Sequence, residues 1–197
     1  MTRPLRSHAR IDMAAPNRND TPSTPKERSC RDLNAAEQLV LFMTRRWVGA
    51  VTAPEGSRER HDSLMAWSRA FCHAGGPAAA RSWDCFLSLV AHNAPDGLTT
   101  GCRKCGRPSA DERRLLAALA AYQYGDLHTG RALIRHWLQD AQARLAEHHL
   151  ILFAGRLVDA SFRLRPPADT DRVPDRTKDS YGQSLEGHVM PAHATLH

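Results

Sequence analysis

The chain has 197 residues, a formal net charge of +6 and five cysteines. This length allows one or two domains, and no apolar run approaches the ~20 residues that a membrane span requires, so we expect no membrane association. The N-terminus lacks the apolar core of a secretory signal. The 24 Arg against three Lys, with abundant Ala, are typical of a GC-rich bacterial genome. We therefore expect a bacterial cytoplasmic protein whose cysteines are reduced or bound to a metal.

The positive charge is spread along the chain. Residues 1–33 and 34–162 each carry a net charge of +3, and residues 163–197 carry none. A mild excess of this kind is typical of a solvated surface. We therefore expect a protein partner, and we consider nucleic acid a less favoured alternative.

The chain divides into a central domain and two tails. Residues 1–33 and 163–197 are rich in Arg, Pro, Asp and Ser and carry large apolar residues only singly, so we expect both tails to be disordered. Residues 34–162 contain all four Trp and most of the Leu. This segment holds enough apolar surface for one modest core and is predicted to be the folded domain.

Three helices are predicted before the cysteine pair. Asn34 and Glu37 have the spacing of a capping box, and an apolar face of helical period follows them. A second helix is predicted over residues 59–73, where it meets the turn sequence AGGP. The third helix is predicted over residues 77–93, with proline at a favoured first position.

Two further helices are predicted after the pair. Ser109 and Glu112 form a second capping box, and the helix they begin should end before Gly125. A long last helix is predicted from His128 to about Gly155, with one apolar stripe of Ile134, Trp137, Leu138, Ala141, Leu145, His148 and Leu152. The fold class is therefore all-α, with about five helices in a bundle or orthogonal array.

The sequence GCRKCG, residues 101–106, presents two thiols in a turn. Cys102 and Cys105 have the spacing of a zinc knuckle, and the glycine after the second cysteine leaves backbone amides free to bond the sulfurs. Structural zinc needs four ligands, so the pair is half of a site. We expect a structural zinc ion here if the other half lies nearby.

The missing ligands are predicted to come from the preceding helices. Cys85 and His92 share one face of the third helix, but seven residues span ~10 Å along a helix axis, so both can bind one ion only if the helix breaks before His92. Cys72 and His73, at the end of the second helix, are the alternative pair.

Two other interpretations of the cysteine pair stay open. One is a thiol redox protein or sensor, although the thioredoxin-like arrangement places CxxC at the start of a helix, whereas Cys105 precedes the predicted cap Ser109 by four residues. The other is a pair of unliganded thiols in an ordinary loop.

Basic residues surround the pair. Five of them, together with the positive end of the following helix, form a candidate patch for an anion or an acidic partner: Arg103, Lys104, Arg107, Arg113 and Arg114. Without a metal to order the loop, the same residues form a solvated charged turn.

A second arginine pair offers a nucleic-acid interpretation. The string AAYQYGDLHTGRALIRHWL joins two helices through a glycine turn, as a helix-turn-helix does. Arg131 and Arg135 would then lie on the recognition helix. Any helical hairpin has the same pattern, so this is an alternative hypothesis.

No catalytic signature is present. The chain contains neither a GxSxG nucleophile motif nor a phosphate-binding loop, and we do not expect an enzyme. The leading hypothesis is a small helical regulatory or protein-interaction module, stabilised by zinc at the CxxC loop, with DNA binding and thiol redox chemistry as the alternatives.

Overall fold

A computed structural model of the chain describes residues 29–102 and 105–166. In this part of the chain the secondary structure is helical, without a β-strand. A single 3₁₀ turn, Cys30–Asp32, precedes six α-helices: α1 (Ala35–Thr52), α2 (Arg58–His73), α3 (Gly76–Asn93), α4 (Ala110–Gln123), α5 (Leu127–Ile134) and α6 (Asp140–Asp159). The predicted all-α class is confirmed.

Both predicted capping boxes are present. The Asn34 side chain accepts a hydrogen bond from the backbone N–H of Glu37, and the Glu37 carboxylate accepts one from the N–H of Asn34. Ser109 and Glu112 make the same reciprocal pair at the start of α4. These local bonds satisfy N–H groups that would otherwise lack a partner.

The core lies between α3 and α6 and is continuous with the buried faces of α1 and α4. α1 packs against α2, α3 against α6, and α4 against both α5 and α6. Aromatic rings fill the centre: Trp83 stacks on Phe153 with centroids 4.4 Å apart, and Phe86 lies 5.4 Å from Trp83. Such contacts contribute beyond the burial of apolar area alone.

The prediction of about five helices is wrong in the last third of the chain. Residues 135–139 interrupt the expected long helix and separate α5 from α6. Because the break rotates the helix, the buried face of α6 is not the predicted stripe but Ala143, Ala146, Glu147, Leu150, Phe153, Ala154 and Leu157. The predicted residues Leu145 and Leu152 are 51% and 45% exposed.

Short segments assigned to the tails take part in packing. Leu33 and Leu164 are buried. Arg165 donates to the Glu37 carboxylate at 2.9 Å and also to the carbonyl of Asp32. Asn34 donates to the carbonyl of residue 163. The packed part of the chain thus extends past both predicted boundaries, whereas the disorder predicted for residues 1–28 and 167–197 lies outside the described residues.

Within the described residues, none of the helices combines the length and the apolar character needed to cross a bilayer.

Two glycines in helices make a matched test of this packing. A Cβ atom on Gly130 would lie 2.6–2.9 Å from the buried ring of Tyr122, whereas a Cβ on Gly155 would meet nothing within 4 Å. Gly130→Ala should therefore destabilise the fold by about 1–3 kcal/mol through overpacking. Gly155→Ala should stabilise it by about 0.5–1 kcal/mol through helix propensity. Chemical denaturation of both variants checks this, and equal effects would contradict the close packing of α5 on α4.

Candidate functional site

The cysteine pair lies in the connection between α3 and α4. Cys102 and Cys105 are joined by a disulfide, with their Cα atoms 5.0 Å apart. The structure thus links two sulfurs that were expected to be reduced or bound to a metal. Both residues are half-buried, and the N–H of Cys102 lies 3.1 Å from the sulfur of Cys105.

A third cysteine, Cys30, lies beside this disulfide, although it falls in the segment predicted to be a disordered tail. The Cys30 thiol is 3.7 Å from the carbonyl oxygen of Cys105. Its backbone N–H donates to the carbonyl of Gly106 at 2.7 Å, and the Ser29 hydroxyl donates to the same oxygen. The 3₁₀ turn is thus docked on the cysteine loop. The sequence contains a local signal for the turn itself, because Ser29 and Asp32 form a capping box.

A buried ion pair between α1 and α4 lies next to the cysteine loop. Arg45 of α1 makes two hydrogen bonds to the Glu112 carboxylate, at 2.7 and 2.8 Å, and the two side chains are 11% and 0% exposed. Hydrogen bonding to Glu112 raises the pKa of Arg45, against the opposing effect of burial. The pair is a fixed charge contact between α1 and the start of α4.

The same guanidinium reaches the cysteine loop. Arg45 donates to the carbonyls of Cys105 and Arg107, and its Nη2 lies 3.9 Å from the Cys30 sulfur. Gly101 makes room for it, since a Cβ at that position would lie 2.6 Å from Nη2. The loop backbone is therefore held by the side chain that neutralises Glu112.

A cavity of about 240 Å³ opens next to these residues. It lies along α1 and the 3₁₀ turn and is lined by Cys30, Leu33, Gln38, Leu41, Phe42, Arg45 and Arg46. The Arg46 guanidinium lies 5.0 Å from the centre of the Phe42 ring. Its lining combines three apolar side chains with a thiol, an amide and two cations.

The predicted metal ligands are not brought together. In the ranges 29–102 and 105–166, no group of three or more His, Cys, Asp and Glu side chains could hold a metal ion. α3 continues without a break through Asn93, so Cys85 and His92 stay two turns apart. The His92 ring bonds the carbonyl of Ser88 within the same helix. Zinc at this loop remains a prediction.

The other predicted ligands also belong to no metal-binding group among the described residues. Cys72 is exposed on α2 and its thiol donates to the carbonyl of Ser68, one turn earlier. His73 is exposed at the last position of α2. Cys85 is a free, half-buried thiol on α3.

Only part of the predicted basic patch is described. Arg107 and Arg113 are exposed, and Arg113 donates to the carbonyl of Pro108. Arg114 pairs with Asp111 at 3.1 Å and lies over the ring of Trp137. Arg103 and Lys104 lie outside the described residues. The side chain that organises the loop is therefore Arg45, which no local pattern marked.

The arginines of the helix-turn-helix hypothesis are engaged within the chain. Arg131 makes a bidentate pair with Glu147 of α6, at 2.8 and 3.0 Å, and hydrogen bonding to Glu147 raises its pKa. Arg135 pairs with Asp140 at 3.0 Å. To contact DNA phosphates, both arginines would have to give up these ion pairs, which costs free energy. DNA binding remains a hypothesis.

Comparisons with protein-family models, curated proteins and solved structures found no match to this chain.

The ion pair gives a direct stability test. Glu112→Gln leaves the Arg45 charge buried without its counterion, and we expect a loss of about 3 kcal/mol or more in the free energy of unfolding. Arg58→Ala, which removes the exposed Arg58–Asp62 pair, is the control and should leave the urea midpoint unchanged. Equal small shifts in both variants would show that the Arg45–Glu112 pair does not anchor the fold.

The two glycines that flank the cysteine pair, Gly101 and Gly106, give a second test. Gly101→Ala should displace the Arg45 guanidinium and lower stability by about 1–3 kcal/mol, as overpacking does. A Cβ at Gly106 would meet nothing within 4 Å, so Gly106→Ala should have little effect on packing. Thermal unfolding of the two variants measures the difference, and indistinguishable melting temperatures would contradict the close approach at residue 101.

Proposed function

We propose that this protein is a small helical regulatory module whose signal is the reversible oxidation of Cys102 and Cys105. The observation that carries the proposal is the disulfide itself, with a free thiol, Cys30, against the same loop. Reversible thiol–disulfide sensors need a pair of neighbouring thiols that a reductant can reach. The half-buried pair meets this requirement.

The surroundings support a local switch. The ion pair between Arg45 and Glu112 joins α1 to α4 independently of the disulfide. Reduction would therefore break the S–S bond and leave this contact between the helices in place. The N–H of Cys102 lies 3.1 Å from the sulfur of Cys105, so the polar contact of this sulfur is within the loop itself. The consequence of reduction is then confined to the loop.

The change in redox state would alter how the loop binds a protein partner. The exposed Arg107 lies two residues after the disulfide, so a change in the linkage acts next to a positive charge on the surface. An acidic surface of a protein partner is complementary to this charge. The module would thus present or withdraw a basic loop according to the redox state.

The experiment compares oxidised and reduced protein. Alkylation and peptide mapping should find Cys102 and Cys105 linked after mild oxidation and free after dithiothreitol. The oxidised form should be more stable by about 2 kcal/mol, the value expected for a very short loop. A Cys102→Ser, Cys105→Ser double variant should match the reduced wild type, and a Cys72→Ser, Cys85→Ser double variant should retain the redox response.

Metal content separates this proposal from structural zinc. Elemental analysis of untagged protein, purified without chelator, should give far less than one zinc per chain. About one zinc per chain that is lost in the Cys102→Ser, Cys105→Ser variant would overturn the redox proposal and establish the zinc site. Two thiols that never link under oxidant would overturn it as well.

A further inference from the structure

We propose that Cys30 is the exchange thiol of this site, through which the Cys102–Cys105 disulfide reacts with a small carboxylate-bearing thiol bound in the cavity along α1. The inference rests on the proposed function and names the substrate class and the path of exchange.

The first support is position. The thiol of Cys30 contacts the backbone of Cys105, and none of its polar contacts is with Cys102. Its backbone is tied to the loop by the bond to the carbonyl of Gly106. Cys30 is therefore held on the Cys105 side of the disulfide, so Cys105 is the sulfur it attacks and Cys102 is the leaving group.

The second support is charge. Arg45 Nη2 lies 3.9 Å from the Cys30 sulfur, so a fixed cation stands next to the atom that carries negative charge during attack. Because the guanidinium is held by Glu112, it needs no rearrangement to do so.

The third support is access. Among the described residues, Cys30 lines the cavity, whereas Cys102 and Cys105 do not. A small thiol in the cavity therefore meets Cys30 first. Leu33, Leu41 and Phe42 would contact its carbon chain, and Arg46, which also lines the cavity, would pair with a carboxylate. The lining thus favours an acidic small thiol over a neutral one of similar size.

The exchange balances without an external oxidant. The Cys30 thiolate, after losing its proton to solvent, attacks Sγ of Cys105; the Cys30–Cys105 bond forms, and Cys102 leaves as a thiolate that takes a proton from solvent. A thiolate from the cavity then attacks Sγ of Cys30 and releases Cys105. A second small thiol frees Cys30, so one protein disulfide and two small thiols give a protein dithiol and one small disulfide.

The decisive experiment uses paired cysteine variants in full-length protein that also carries Cys72→Ser and Cys85→Ser. After mild oxidation with diamide, Cys102→Ser should form the Cys30–Cys105 disulfide, whereas Cys105→Ser should form a Cys30–Cys102 disulfide at least about ten-fold more slowly, as expected when geometry restricts which sulfur is reached. Peptide mapping after alkylation reads the linkage. Equal yields in the two variants, or a free Cys30 in both, would overturn the exchange.

The cavity is tested by the charge of the thiol. We expect mercaptopropionate to reduce the wild-type disulfide about five-fold faster than mercaptoethanol at equal thiolate concentration. Arg46→Ala should abolish this preference and Arg46→Lys should retain it. Cys30→Ser should slow reduction by both thiols while the Cys102–Cys105 disulfide still forms. If Cys30→Ser is reduced as fast as wild type, the inference fails and the proposed redox function stands; if the wild type forms no disulfide, the function itself fails.

Discussion

The ion pair between Arg45 and Glu112 is the constraint on which the site depends. Burying two charges is costly, and it is tolerated only when the oxygens and N–H groups find partners. Here one carboxylate neutralises Arg45 and also caps α4 by accepting from the N–H of Ser109. The guanidinium uses its remaining donors on loop carbonyls. A single buried contact thus fixes the joint between α1 and α4, the start of α4 and the backbone of the cysteine loop.

This arrangement separates the rigid part of the molecule from the reactive part. The aromatic core around Trp83 and Phe153 lies between α3 and α6. The sulfurs of Cys30, Cys102 and Cys105 lie outside it, next to Arg45. Under the proposed function, oxidation and exchange take place at half-buried sulfurs that lie outside this aromatic core. The proposed switch therefore needs no rearrangement of the packed interior.

Local patterns predicted most of the fold, and the features they missed are nonlocal. The capping boxes at Asn34 and Ser109 depend on residues three positions apart, so the sequence displays them directly. Cys30 meets the loop across 75 positions, and its neighbours have the composition of a tail, so no local pattern placed it at the site. Arg45 was one arginine among 24. The break after α5 was missed because the apolar period continues through it, although the exposed Leu145 shows that the second half turns another face to the core.

The contact between Glu37 and Arg165 joins the two ends of the described chain. It spans 128 positions, so α1 is synthesised long before the residue that completes its N-terminal contacts, and long-range contacts of this kind form late. Arg165 also bonds the carbonyl of Asp32, in the 3₁₀ turn that carries Cys30. Cys102 and Cys105 are neighbours and can find each other without either end of the chain. The linkage of this pair therefore does not depend on the C-terminal contact, whereas the turn that carries Cys30 is supported by it.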